Sequence, residues 1–344
     1  MAAPSTELTP QVPDVGSAQP LAPIDGPPPE PTVDTPPPAA GHLAAVIVGY
    51  GGRRVRVDEH GSFSGFVEID ANGGDDANLL RGVTFGDGLF VAVGTATYTS
   101  PNGIDWQRQA NTPNWLGNAA YVNGVFVAAG GYGLRVVSTD RAQTWTVVSG
   151  GGGSIDYRDV VSNGQVAVAG GATGNAPSGE YAGCPSYAAM LTWTSDGTNW
   201  THVQLGQSKP CGSTAYTTVT SLAHGAGHFV GAGYGGAVFT SVDGKAWNEQ
   251  TLAGSGQPTV SFGSGQFWLS YAGGQSYTSA DGTTWQNAGP STIPVVGFAG
   301  GFIGLVREST QIYFSANPSA WGPVAFQPTT GSSGFLRAAV GIVP

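Results

Sequence analysis

The chain writes one short turn six times, and few folds have a use for that. The clearest copy is Ser279-Ala280-Asp281-Gly282-Thr283-Thr284-Trp285. The other copies span 100–106, 138–145, 194–200, 241–247 and 315–321. They carry the pairs Asn102 and Trp106, Asp140 and Trp145, Asp196 and Trp200, Asp243 and Trp247, and Asn317 and Trp321. Each copy lies between two short strand-like runs. The Asp or Asn side chain accepts hydrogen bonds from backbone N–H groups about two residues on and so fixes a tight turn. The Gly that often follows supplies positive φ, which hairpin turns need. The Trp begins the next strand and buries a large ring, pinning the turn to the core. These Asp, Asn and Trp residues are therefore read as architectural.

The Trp-to-Trp steps are 39, 55, 47, 38 and 36 residues. A period near 40 with strands throughout implies propeller blades or a similar array. The copies resemble the Asp-box (BNR-type) repeat of the sialidase-like and sortilin-like propellers. The copy at 138–145 is close to the full Ser-x-Asp-x-Gly-x-Thr-Trp form, with Ala142 in the Gly place, and most others are one residue shorter. The resemblance covers roughly residues 42–344. It implies an all-β propeller and says little about activity, because this superfold hosts many.

Blade count follows from the ends of the repeat region. The run Leu43 to Gly52 matches the second strand of later repeats, as at Phe229 to Gly236, so the first blade lacks a first strand of its own. The run Phe335 to Val340 echoes Leu79 to Val83, which opens the second blade. The expectation is seven blades, starting near 42, 81, 118, 158, 217, 258 and 295. The ring is closed by pairing the C-terminal strand into the first blade, which removes an open sheet edge.

Composition narrows the function classes. The net charge is −10 and Lys209 and Lys245 are the only lysines, so nothing offers a phosphate-neutralising stripe and nucleic acid is not an expected partner. No apolar run approaches the ~18 residues of a membrane span. Residues 1–41 are dense in Pro, carry five acids and no Lys, Arg or aromatic residue, and are read as a disordered, acidic spacer. Such a spacer ahead of a propeller looks like the lipid-tethered arm of a bacterial envelope protein. Export to the periplasm, cell surface or medium is the expectation, although no signal peptide is visible. Cys184 and Cys211 fall in the lengthened 55-residue repeat and are read as a disulfide in preference to two free thiols.

In such propellers the repeated turns lie on one face. The loops joining second to third strands, and those joining blades, lie on the other. The ligand-binding candidates on that second face are Tyr50, Arg53, Trp115, Tyr132, Tyr157, Arg158, Tyr234 and Arg307. Exposed aromatics in Gly-rich loops suit sugar rings or a protein partner. The leading reading is a non-catalytic binding or scaffold module for a protein or glycan. The alternative is a glycoside hydrolase or lyase of the sialidase-like superfold, drawing on Asp75, Asp156, Glu180 and Tyr181. Against it, Arg53, Arg158 and Arg307 are the only trio on offer for a substrate carboxylate. No catalytic residue is assigned. Cofactors are expected to be absent. A calcium loop at 70–76 fails the EF-hand pattern because Arg81 stands where a Glu is needed, which leaves a looser calcium site in that loop as the alternative to no cofactor. His224 and His228 flank one turn without a third metal ligand.

Overall fold

The computed structural model describes residues 41–67, 78–110, 112–149, 155–173, 188–203, 205, 218–290, 295–298, 301–305, 311–315, 324–326 and 335–343. Within the unit spanning 40–344, the described residues form seven antiparallel four-stranded sheets. These are the blades of a β-propeller, numbered I to VII here. Blade I takes its innermost strand from the C-terminus. Phe335–Val343 pairs antiparallel with His42–Gly49, and Arg54–Asp58 and Phe63–Val67 complete the sheet. The innermost strands of blades II to VII are Leu80–Gly86, Leu116–Val122, Ile155–Ser162, Val219–Gly225, Pro258–Gly263 and Val295–Phe298. The expected blade starts fall within three residues of these, and the ring closes as the echo of Leu79 to Val83 implied.

The inner strands of the blades are buried on both faces, and the alternation along a strand shows why. On His42–Gly49, Ala44, Val46 and Val48 pack with Leu80, Phe90 and Tyr98 of blade II, while Ala45 and Ile47 pack with Phe298, Ile303 and Ile312 of blade VII. Successive side chains point to opposite faces of a strand, so a strand buried on both faces reads as a near-continuous apolar run. The same two-sided burial recurs around the ring: blades III and IV share one cluster, IV and V another, and V and VI a third.

The repeated turns join third to fourth strands and do more than reverse the chain. In four copies a Ser or Thr hydroxyl (Ser100, Thr194, Ser241, Ser279) accepts from the Gly N–H at 2.8–2.9 Å. Asp281 Oδ1 accepts from the N–H groups of Thr283 and Thr284, both at 2.8 Å, and Asn102, Asp196 and Asp243 repeat that pattern. Each Trp ring then donates its Nε1–H back to the Gly carbonyl at 3.0–3.2 Å, in Trp106, Trp200, Trp247 and Trp285. These donors hold the carboxylates below the usual carboxylate range. Asp196 is lowered to about 2, chiefly by the Asn199 N–H, and Asp281 is lowered further, chiefly by the Thr284 N–H.

The turn glycines also seat one blade on the next. All four adopt φ of 74–76°. A Cβ on Gly103 would lie 2.7 Å from Val46 of blade I, and one on Gly282 would lie 2.6 Å from Val230 of blade V. Gly197 meets Val137 and Gly244 meets Val168 in the same way. Blade III departs from the pattern. Ala142 stands in the Gly place at φ 61°, fully buried, and its N–H bonds Ser138 Oγ at 2.9 Å while Asp140 accepts from Thr144. In the sixth copy Asn317 and Trp321 lie outside the described residues, as do Cys184 and Cys211.

Candidate functional site

The innermost strands surround a central channel, a cavity of about 970 Å³ whose lining includes the loops on the face opposite the repeated turns. A shared irregularity decides what points into it. The innermost strands of blades I to V each carry a β-bulge at the same height. The register breaks at Leu80/Gly82, Leu116/Asn118, Tyr157/Asp159 and Val219/Ser221, and opposite Val48/Gly49 for the C-terminal strand. A bulge leaves one residue unpaired and re-aims its side chain. Here the bulged residues include Arg81 and Arg158, and the residues just after the bulge are Gly82, Asn118, Asp159, Ser221 and Arg337.

That second set forms a polar belt. Asp159 is buried, with its side chain only 2% exposed. Its Oδ1 accepts from Asn118 Nδ2 at 2.7 Å and from the Val160 N–H at 2.9 Å. Its Oδ2 accepts from the Leu222 N–H at 2.7 Å and faces Arg337 Nη1 at 3.0 Å. Arg337 also donates to the Thr220 carbonyl at 3.2 Å. It thus reaches across the channel from blade I to blades IV and V, which lie opposite in a ring of seven. Ser221 exchanges hydrogen bonds with Val260 of blade VI. Gly82 has no room for a side chain, because a Cβ there would lie 2.2 Å from Asn118 Oδ1. One carboxylate therefore ties together blades I, III, IV and V, and it has no acceptor capacity left for chemistry.

Above this belt lies the mouth. Trp115 precedes the innermost strand of blade III, is 48% exposed, and holds φ 64°, a conformation bulky residues rarely adopt. Its carbonyl accepts from the Gly131 N–H at 2.9 Å, and Gly130 admits no Cβ because one would lie 2.0 Å from that oxygen. The Arg81 guanidinium sits 4.7 Å from the Trp115 ring centroid. On the other side of blade III, Arg158 pairs with Asp156 at 2.6 Å. Tyr50 and Tyr234 complete the rim. Each opens a single helical turn built by two glycines at positive φ, Gly51 and Gly52 in one case and Gly235 and Gly236 in the other.

The expected residues thus separate. Tyr50, Trp115, Tyr157, Arg158 and Tyr234 line the channel, with Tyr157 almost fully buried in its wall. Arg53 is fully buried and donates to the Tyr50 carbonyl at 3.2 Å, so it braces the loop behind Tyr50 and presents nothing to a ligand. Tyr132 does not share the place of Tyr50 and Tyr234: at φ 58° and 67% exposed it stands outside the channel lining. Arg307, Asp75, Glu180, Tyr181 and the loop at 70–76 lie outside the described residues. Without Arg53, the trio Arg53, Arg158 and Arg307 does not converge. His224 packs tilted on Phe229 with ring centroids 4.6 Å apart, as Phe85, Tyr121 and Phe262 pack on Phe90, Phe126 and Phe267 at the same strand end of blades II, III and VI, and His228 bonds the Ala226 carbonyl. Among the described residues no group of acids, His and Cys is arranged to hold a metal ion. Sequence reasoning missed Arg81 as a site residue. It holds in blade II the bulge position that Arg158 holds in blade IV, and their shared place between an apolar residue and the belt residue was the signal available.

Fold and site together define a seven-bladed β-propeller with an aromatic and arginine-bearing channel mouth. No protein-family model matches the chain, and no curated protein matches it. Solved structures do. One described as apo AztD from Citrobacter koseri is 10% identical, with 88% of this chain and 98% of that chain covered at a TM-score of 0.54. One described as YCF48 bound to D1 peptide is 15% identical, with 78% of this chain and 89% of that chain covered at a TM-score of 0.50. These likenesses establish the fold alone. Among the described residues no helix is long and apolar enough to cross a membrane.

Proposed function

We propose that this chain is a non-catalytic binding module that presents the channel mouth to a protein or glycan partner. The observation that carries the reading is Trp115. A large aromatic ring is held half-exposed in a left-handed conformation, clamped through its own carbonyl and covered on one face by Arg81. Backbone strain of this kind costs about 1–3 kcal/mol and persists where the surroundings over-determine it, most often at functional sites. A rigid aromatic beside an arginine is the composition of a binding hot spot. The likeness to a propeller solved with a bound peptide is consistent with a protein partner.

The hydrolase alternative has less support. A glycosidase needs two carboxylates about 5–9.5 Å apart that are free to work on one bond. Of the two channel acids described, Asp159 is consumed by four donors and Asp156 is paired with Arg158. The test is a screen of the full chain on glycan and peptide arrays, beside a reducing-sugar release assay. Saturable binding lost in Trp115→Ala supports the module. Sugar release lost in Asp156→Asn would instead establish an enzyme.

The same reading includes assignment of the repeated turns to the Asp-box type, export from the cytoplasm, the N-terminal segment as a tethering spacer, and pairing of Cys184 with Cys211. The last has a direct check. The unreduced chain should resist alkylation, and two alkylated cysteines without reduction would remove the argument for an oxidising compartment.

A further inference from the structure

The binding reading leaves the partner's chemistry open, and the charges at the mouth narrow it. Arg158 is neutralised by Asp156 at 2.6 Å, and Arg337 by Asp159 at 3.0 Å. Arg81 is different. Its contact is with the face of Trp115, and the Asp156 carboxylate acts on it only at longer range, with no hydrogen bond or ion pair to Arg81 among the described residues. It is nevertheless half-buried at the channel rim, and burial pushes its guanidinium down from the ordinary arginine value. A guanidinium carries five N–H donors in a fixed fork that matches a carboxylate with two parallel hydrogen bonds. Placing it at a bulge and holding it over an indole ring pre-orients that fork toward the opening.

We propose that Arg81 and Trp115 together form a subsite for a single carboxylate carried on an otherwise neutral peptide segment of a partner protein. This rests on the binding reading and goes one step past it. The carboxylate pairs with Arg81, and the adjoining apolar or aromatic side chain lies against the exposed part of Trp115, with Tyr50 and Tyr234 around the opening. The charge pattern selects one acid over many. Among the described residues the rim sets two arginines, Arg81 and Arg158, against the single carboxylate of Asp156, so one positive charge is left over, and the chain carries a net charge of −10. A polyuronate, a sulfated glycan or a polyphosphate would bring several negative charges to a surface that neutralises one.

The experiment uses the full chain and a set of N-acetylated, C-amidated octapeptides. Each carries one Asp or Glu among neutral residues and is paired with its Asn or Gln isostere. Hexagalacturonate and inorganic phosphate form separate arms. The expected result is binding of acidic members at least tenfold tighter than their isosteres. That preference should be erased in Arg81→Gln, partly kept in Arg81→Lys, and unchanged in Arg108→Gln, which alters an exposed arginine on the outer strand of blade II. Thermal melts confirm that each variant is folded. Equal binding of acid and isostere, still lost in Trp115→Ala, overturns the carboxylate subsite and leaves the binding module standing. Binding of hexagalacturonate or phosphate alone overturns the peptide assignment. Binding of nothing in the set overturns the subsite, whereas the binding reading beneath it falls only if the glycan and peptide arrays are silent as well.

Discussion

Asp159→Asn is the most informative single change, because the carboxylate it removes is the node of the channel belt. Its two oxygens receive four donors: Asn118 Nδ2 and Val160 N–H on one, Leu222 N–H and Arg337 Nη1 on the other. An amide at this position has one acceptor oxygen and one NH₂ group. In either flip the NH₂ faces two donors, so two buried partners lose their acceptor. Breaking a buried, hydrogen-bonded ion pair from one side costs about 3–5 kcal/mol, because the other charge is left uncompensated. Near 60 °C the unfolding entropy is roughly 2 cal/mol/K per residue, so for a domain of this size the melting temperature should fall by about 5–8 °C. The assay is urea unfolding followed by Trp fluorescence and by circular dichroism, accepted only where the two transitions coincide. Arg337→Met should cost less, about 1.5–3 kcal/mol, since the carboxylate keeps three N–H donors. The double variant should then lose less than the two single losses combined. A loss below ~1 kcal/mol for Asp159→Asn, against the 3–5 expected for a broken buried pair, would show that the belt does not hold the ring together and would refute the reasoning.

Two further outcomes follow from the repeated turns. Gly282→Ala puts a Cβ into a left-handed residue 2.6 Å from Val230 and should destabilise by about 2–4 kcal/mol, whereas Ala142→Gly removes one buried methyl and relieves left-handed strain, and should be near neutral in the same urea assay. The turn carboxylates Asp140, Asp196, Asp243 and Asp281 all titrate below their ordinary value, so their stabilisation is fully present above about pH 4, the usual carboxylate pKa, and is lost as pH falls, in Asp196 through about 2. Replacing all four by Asn should flatten the acid limb of the urea midpoint between pH 4 and 2 while keeping the turns formed, because Asn102 already makes the same N–H contacts, and an unchanged limb would assign acid sensitivity to other groups.

Much of the architecture was legible because it is written locally and repeatedly. A turn that needs a hydroxyl, a short acceptor side chain, a positive-φ Gly and a Trp within seven residues leaves the same mark wherever it occurs. Six marks at steps of 36–55 residues imply a ring of blades. The missing first strand of blade I and the echo at Phe335 to Val340 then fix how the ring closes, since an unpaired edge strand must be covered. The sequence also set Trp115 apart from the tryptophans of the repeated turns, because it lies outside every copy.

The tertiary structure decided what no local pattern encodes. Tyr50, Tyr132 and Tyr234 stand at matching sequence positions beside glycines, yet Tyr132 is turned outside the channel lining while the other two border it. Arg53 and Arg158 look alike as loop arginines, yet one is buried behind a carbonyl and the other stands at the mouth. Asp159 and Arg337 are 178 residues apart and meet only because the ring places blade I opposite blades IV and V. Arg81 reads as an ordinary strand residue until the bulge is seen to turn it over Trp115. Turns and strand alternation arise from contacts within a few residues, so composition and spacing determine them. The belt and the mouth arise from side chains of different blades converging on one axis, and that convergence exists only once the ring has closed.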